Sequence, residues 1–76
     1  MALVTRLDKA DKQRQSVHGE TECQYSSFSK DGRSFLQLDT FGSAERKLQG
    51  KISQSLQLSR EAAQQLSAII DSVFGR

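Results

Sequence analysis

Two phenylalanines and two cations surround one tight-turn sequence in this chain. Phe28 and Phe35 lie on either side of the tetrad Lys30-Asp31-Gly32-Arg33. Asp-Gly favours a two-residue hairpin because both of its positions tolerate a positive φ. The rings of Phe28 and Phe35 then pair across the strands, with a cation on each side of the turn. Nucleobases stack on such rings and phosphates bind Lys or Arg, so the pattern is typical of surfaces for single-stranded nucleic acid.

The same turn predicts which side chains share a face of the sheet. Pairing Lys30 with Arg33 sets Phe28 opposite Phe35 and continues to Cys23 opposite Thr40. The face that we expect to turn toward the core carries Cys23, Tyr25, Leu36 and Leu38. The other face carries Gln24, Ser26, Phe28, Phe35, Gln37, Asp39 and Phe41. The two rings therefore either bind a ligand, or are covered by a second subunit or by the N-terminal arm.

A second group of cations follows the hairpin. Arg46 and Lys47 lie in a loop from Gly42 to Gly50, and Lys51 comes directly after it. Three cations this close together can form a small patch that binds phosphate, although Glu45 lowers its net charge. The alternative is a solvated loop with no ligand.

Catalytic and metal-binding groups are few and scattered. His18 belongs to the polar N-terminal segment, Cys23 is expected on the core face, and the carboxylates of Asp31, Asp39 and Glu45 lack metal-ligand spacing. Catalysis needs a positioned nucleophile, acid or base, and a zinc site needs more His and Cys than this chain has. We therefore expect no enzyme activity, no cofactor and no metal.

The composition indicates one small domain. The 76 residues carry a net charge of +2, from 11 basic and 9 acidic side chains, and 36% of them are hydrophobic. A core this small is near the limit of independent stability, so a partner subunit would help. No apolar run reaches membrane-spanning length and the first 12 residues lack the apolar stretch of a secretory signal, so we expect a cytoplasmic protein.

The elements that position these residues can be predicted in turn. Residues 1–21 are expected to form a mobile polar arm, with a short helix or an added edge strand over Ala2–Leu7 as the alternative. Alternation predicts a strand over Lys51–Leu58. Ser59 is placed to cap a helix over Arg60–Phe74, and Gly75 is placed to end it. The helix carries one apolar stripe: Ala62, Ala63, Leu66, Ile69, Ile70, Val73 and Phe74.

The predicted fold class is therefore α+β. Residues 22–76 should form an antiparallel β-meander of three strands, or four if the arm adds one, with the C-terminal amphipathic helix packed on one face. The stripe of the helix would bury against the core face of the sheet. The side chains expected beneath it are Tyr25, Leu36, Leu38, Ile52, Leu56 and Leu58.

The order of these parts resembles a known family. The segment Phe35-Leu-Gln-Leu-Asp-Thr-Phe41, a basic loop closing in Gly50-Lys51, and a strand leading to the Ser59-capped helix are similar to the transcriptional coactivator positive cofactor four and its bacterial relatives. The resemblance spans about fifty residues. This chain departs from the family in two ways. The family has four strands before its helix, whereas three are clear here, and Ala62 and Ala63 stand where the family usually has an aromatic residue.

This resemblance implies a function as well as a fold. It implies a homodimer packed through the C-terminal helices that binds single-stranded DNA or RNA with little sequence preference, in transcription or DNA maintenance. Carried over to this chain, backbone contacts fall on Lys30, Arg33, Arg46, Lys47 and Lys51, and stacking falls on Phe28 or Phe35, with Gln37 beside them. The rival hypothesis is a protein-interaction domain, such as an accessory or inhibitory protein, that binds no nucleic acid.

Overall fold

The computed structural model describes residues 1–42 and 52–75 of the chain. Within these ranges the chain forms four strands and one helix: β1 Ala2–Val4, β2 Cys23–Lys30, β3 Arg33–Thr40, β4 Gln54–Leu58 and α1 Arg60–Phe74. The strands make one sheet in the order β1-β4-β3-β2. The predicted α+β fold class is thus confirmed.

The hairpin of β2 and β3 has the register that the Asp-Gly turn predicts. Lys30 pairs with Arg33, Phe28 with Phe35 and Cys23 with Thr40. Asp31 and Gly32 adopt φ values of 53° and 75°, in the left-handed region that this turn requires. Because register decides which side chains share a face, the two rings are set on one side of the sheet and Leu36 and Leu38 on the other.

The sheet is mixed rather than a simple antiparallel meander. β4 pairs antiparallel with β3, but β1 pairs parallel with β4, with Ala2 opposite Leu56 and Val4 opposite Leu58. Residues 2–4 thus form the added edge strand that was the alternative to an unstructured arm. The backbone N–H of Ser59 donates to the Val4 carbonyl oxygen at 3.0 Å, which ties this strand to the start of the helix.

The helix begins and ends where its capping residues predict. Ser59 accepts a hydrogen bond from the Ala62 backbone N–H at 3.2 Å, and Gly75, with a φ of 75°, ends the helix by donating to the Asp71 carbonyl oxygen. Its first turns lie over Leu36 and Leu58, which line one groove together with Ala63, Leu66 and Ile70. We call this side of the sheet the helix face and the side with Phe28 and Phe35 the ring face.

The core is smaller than the sequence predicts. Among the described residues the buried hydrophobic side chains are Phe41, Leu58 and Ala62, with Ser59 buried beside them. Of the predicted stripe, Ala62 is buried and Ala63 and Leu66 are half-buried, but the side chains beyond them are exposed: Ile69, Ile70, Val73 and Phe74. The helix therefore packs on the sheet through its N-terminal half.

Five expectations about individual side chains are corrected. Cys23 and Tyr25 lie on the helix face as predicted but are exposed, Tyr25 by 79%, because β2 is an edge strand that the helix does not reach. Phe41 follows the end of β3 and is buried, instead of lying exposed beside the rings. Ile52 precedes β4, which begins at Gln54 rather than at residue 51, and is exposed. Leu56 lies within β4 but is 40% exposed, because the helix packs over Leu58 at the end of that strand.

Neither a membrane-spanning helix nor a metal-binding cluster occurs among the described residues. No helix within residues 1–42 and 52–75 is long and apolar enough to cross a membrane. In this part of the chain, no group of three or more His, Cys, Asp and Glu side chains is placed to hold a metal ion.

Candidate nucleic-acid interface

The two rings form a stacked pair on the ring face. The centroids of Phe28 and Phe35 are 5.2 Å apart and their planes meet at 27°. Phe28 remains 39% exposed, and Phe35 is half-buried because β3 is flanked by strands. Stacked rings hold each other in place, so the exposed surface of Phe28 is an ordered apolar platform at the edge of the sheet.

Arg33 extends this platform with a positive charge. Its guanidinium carbon lies 5.0 Å from the centroid of the Phe35 ring, within cation–π range. Lys30 is opposite Arg33 in the register and both side chains are exposed. The hairpin thus brings together Phe28, Lys30, Arg33 and Phe35, four of the residues predicted for the site.

Gln37 continues the ring face away from the turn. Its amide nitrogen donates to both carboxylate oxygens of Asp39, at 3.1 and 3.3 Å, and its amide oxygen accepts from the Gln57 amide nitrogen at 2.9 Å. These bonds fix the orientation of the Gln37 amide. The ring face thus presents amide and carboxylate groups at this point, and both kinds of group hydrogen-bond to polar ligands.

A groove leads away from this polar strip toward β1. It has a volume of about 470 Å³ and is lined by Leu3 and Gln57 among others. Gln57 and Leu3 are site residues that the sequence reasoning missed. For Gln57 a signal existed, since the alternation of β4 places its side chain on the other face of the sheet from Leu56 and Leu58. That Gln57 lies beside Gln37 follows only from the register of β3 and β4. For Leu3 there was no signal, because a strand of three residues is too short for its pattern to show which strand it pairs with.

A further cation was also missed. Arg60 and Phe35 line a second groove, of about 390 Å³, between the start of β3 and the start of the helix. At the first helical position an arginine has no special sequence signature, so only the approach of the two elements shows it.

Three predicted site residues cannot be placed. Arg46, Lys47 and Lys51 lie outside the described residues, and their role in binding phosphate stays a prediction.

The helix side of the molecule carries a second exposed surface. Ile69, Ile70, Val73 and Phe74 project from the C-terminal half of α1, with exposed fractions that rise to 80% at Phe74. We call these four residues the apolar helix stripe. Large exposed apolar patches mark interaction sites in soluble proteins.

Comparisons with known proteins give no match. The chain matches no protein-family model, no curated protein and no solved structure. Its function must therefore be argued from its own residues.

Proposed function

We propose that this protein is a small, non-catalytic module that binds single-stranded DNA or RNA as a homodimer. The observation that carries the proposal is the Phe28–Phe35 stack with Arg33 over one ring, on the sheet face that the helix leaves open. Bases stack on such rings whatever their sequence, and nearby cations meet the backbone phosphates. Such a site binds single strands, because in a duplex the base faces are already stacked on one another.

The exposed apolar surface of the helix supports the dimer. Along the apolar helix stripe the exposed fractions are 42% for Ile69, 46% for Ile70, 67% for Val73 and 80% for Phe74. Pairing two stripes around a two-fold axis would bury the most hydrophobic exposed surface of α1.

One observation favours the rival function. The same exposed stripe would suit a different protein as well as a second copy of this chain. The ring face favours nucleic-acid binding over protein docking. A domain that docks a protein only through its helix does not need an aromatic platform flanked by cations on the opposite side of its sheet.

Replacing one ring tests the proposed site. Phe28→Leu keeps an apolar side chain but removes the stacking surface, and Phe28→Tyr keeps the ring as a matched control. Base stacking on an aromatic side chain contributes roughly 1–3 kcal/mol, so we expect Phe28→Leu to weaken binding about 5- to 150-fold. Phe28→Tyr should change it less than about threefold. Fluorescence anisotropy of labelled 12-mer oligonucleotides at low salt measures both.

Three results would contradict the proposal. They are no saturable binding of any oligonucleotide at low salt, duplex binding as tight as single-strand binding, and equal affinities for the leucine and tyrosine variants. A folded protein that shows the first result while another protein co-purifies with it would favour the rival function.

The salt dependence tests Arg33 separately. If Arg33 neutralises one phosphate of a single strand, Arg33→Gln should reduce the slope of log K against log salt by about 0.7. Lys12→Gln removes an equally exposed charge from the N-terminal segment and serves as the control. An unchanged slope for Arg33→Gln, or an equal change for Lys12→Gln, would show that Arg33 makes no phosphate contact.

A further inference from the structure

β2 is a long strand that is open on one side. It borders β3 only among the described residues, and all eight of its residues are exposed. Residues 23–29 contain no charge, no proline and no bulge, the devices that normally protect an edge strand from pairing. An edge of this kind is a template for another strand.

The hairpin register fixes which backbone groups this edge offers. Residues that flank a two-residue turn exchange hydrogen bonds, so Lys30, Phe28, Ser26 and Gln24 direct their N–H and C=O groups at β3. The alternate residues direct theirs outward. These outward residues are Cys23, Tyr25, Ser27 and Ser29.

The four outward residues are arranged symmetrically about Ser26. In an antiparallel pair of two β2 strands, outward residues must lie opposite one another. A two-fold axis at Ser26 pairs all four, Cys23 with the partner's Ser29 and Tyr25 with the partner's Ser27. With the axis at Tyr25 or Ser27, only three of the four outward residues face an outward residue of the partner's β2. The edge is thus complementary to itself in one best register, with about eight backbone hydrogen bonds.

We propose that two copies of this chain pair through β2, antiparallel and centred on Ser26, to form one continuous sheet. The ring faces of both copies are then on the same side, with Phe28 and the partner's Phe28 about 14 Å apart. This pairing does not depend on nucleic-acid binding. In a chain that also dimerises through its apolar helix stripe, it would link dimers into larger assemblies.

Disulfide trapping tests the register directly. Facing residues that do not exchange hydrogen bonds have Cα atoms about 4.5 Å apart, a distance that a disulfide spans. Ser26→Cys, made with Cys23→Ser because Cys23 is exposed, should therefore form a cross-linked dimer rapidly under mild oxidation. The control is Gln24→Cys in the same background, whose two copies lie about 14 Å apart and beyond disulfide reach.

A further substitution ties the cross-link to strand pairing. Adding Ser27→Pro removes an outward N–H without touching the β2–β3 ladder, so the cross-link should be lost while the circular dichroism spectrum is kept.

The outcomes are separable from those of the proposed function, since no nucleic acid is present. Rapid cross-linking at position 26 alone, abolished by the proline, supports the proposal. No cross-link at position 26, equal cross-linking at position 24, or a cross-link that survives the proline in a folded protein would overturn it.

Discussion

At the residue scale, Phe28 and Phe35 are held by each other more than by a core. Their centroid distance of 5.2 Å and the guanidinium of Arg33 at 5.0 Å make a small ordered cluster on a face that lacks a covering element among the described residues. Aromatic surface left in water costs free energy unless something covers it part of the time. This physical argument supports the proposal that the ring face binds a ligand.

Ser59 is the residue on which the helix start depends most. Its side chain is 1% exposed and its hydroxyl oxygen accepts the Ala62 backbone N–H. Ser59→Ala would leave that buried N–H without its partner, so we expect a loss of about 1–2 kcal/mol in the free energy of unfolding. Ser67→Ala, at an exposed position of the same helix, should change it by less than about 0.5 kcal/mol. Urea unfolding followed by circular dichroism compares the two, and equal losses would refute the capping role.

At the element scale, the hairpin is the part of the fold that its sequence specifies most fully. Gly32 has a φ of 75°, and a β-carbon added there meets no atom within 4 Å. The cost of Gly32→Ala is therefore conformational alone, about 1–2 kcal/mol for an L-residue in the left-handed region. Gly19→Ala also meets no atom within 4 Å and should be neutral. A neutral Gly32→Ala in urea unfolding would contradict this account of the turn.

The elements predicted well are those with local signals. Asp31-Gly32 specified the whole β2–β3 register, and Ser59 and Gly75 marked both ends of the helix, because turns and caps involve neighbouring residues. Four of the predicted site residues, Phe28, Lys30, Arg33 and Phe35, came together for the same reason. The parallel pairing of β1 with β4 had no such signal, since it joins residues more than fifty positions apart.

Burial was predicted less well than pairing. The alternation that set Tyr25 on the helix face says nothing about β2 being an edge strand that the helix does not cover. Likewise, the apolar stripe of α1 predicts that the helix has a partner but not whether the partner belongs to the same chain. The C-terminal half of the helix is exposed because the described part of the chain does not cover its apolar stripe.

At the scale of the whole molecule, the exposed stripe makes the oligomeric state testable. Ile70→Lys places a charge in the stripe and should convert the proposed dimer to monomer, because a lysine cannot be buried there without a partner. Ala68→Lys places the same charge on the opposite side of the same helix and should leave the dimer intact. Sedimentation equilibrium measures both. A wild-type monomer, or equal dissociation by the two variants, would contradict dimerisation through the stripe.

The aromatic side chains offer the most direct test of the proposed function. The chain has only four phenylalanines and one tyrosine, so their ring resonances can be followed individually by NMR during titration with an unlabelled single-stranded 12-mer. The account predicts that the resonances of Phe28 and Phe35 shift as bases stack on them, while those of buried Phe41 do not. Unchanged Phe28 and Phe35 resonances in a protein saturated with oligonucleotide would contradict it.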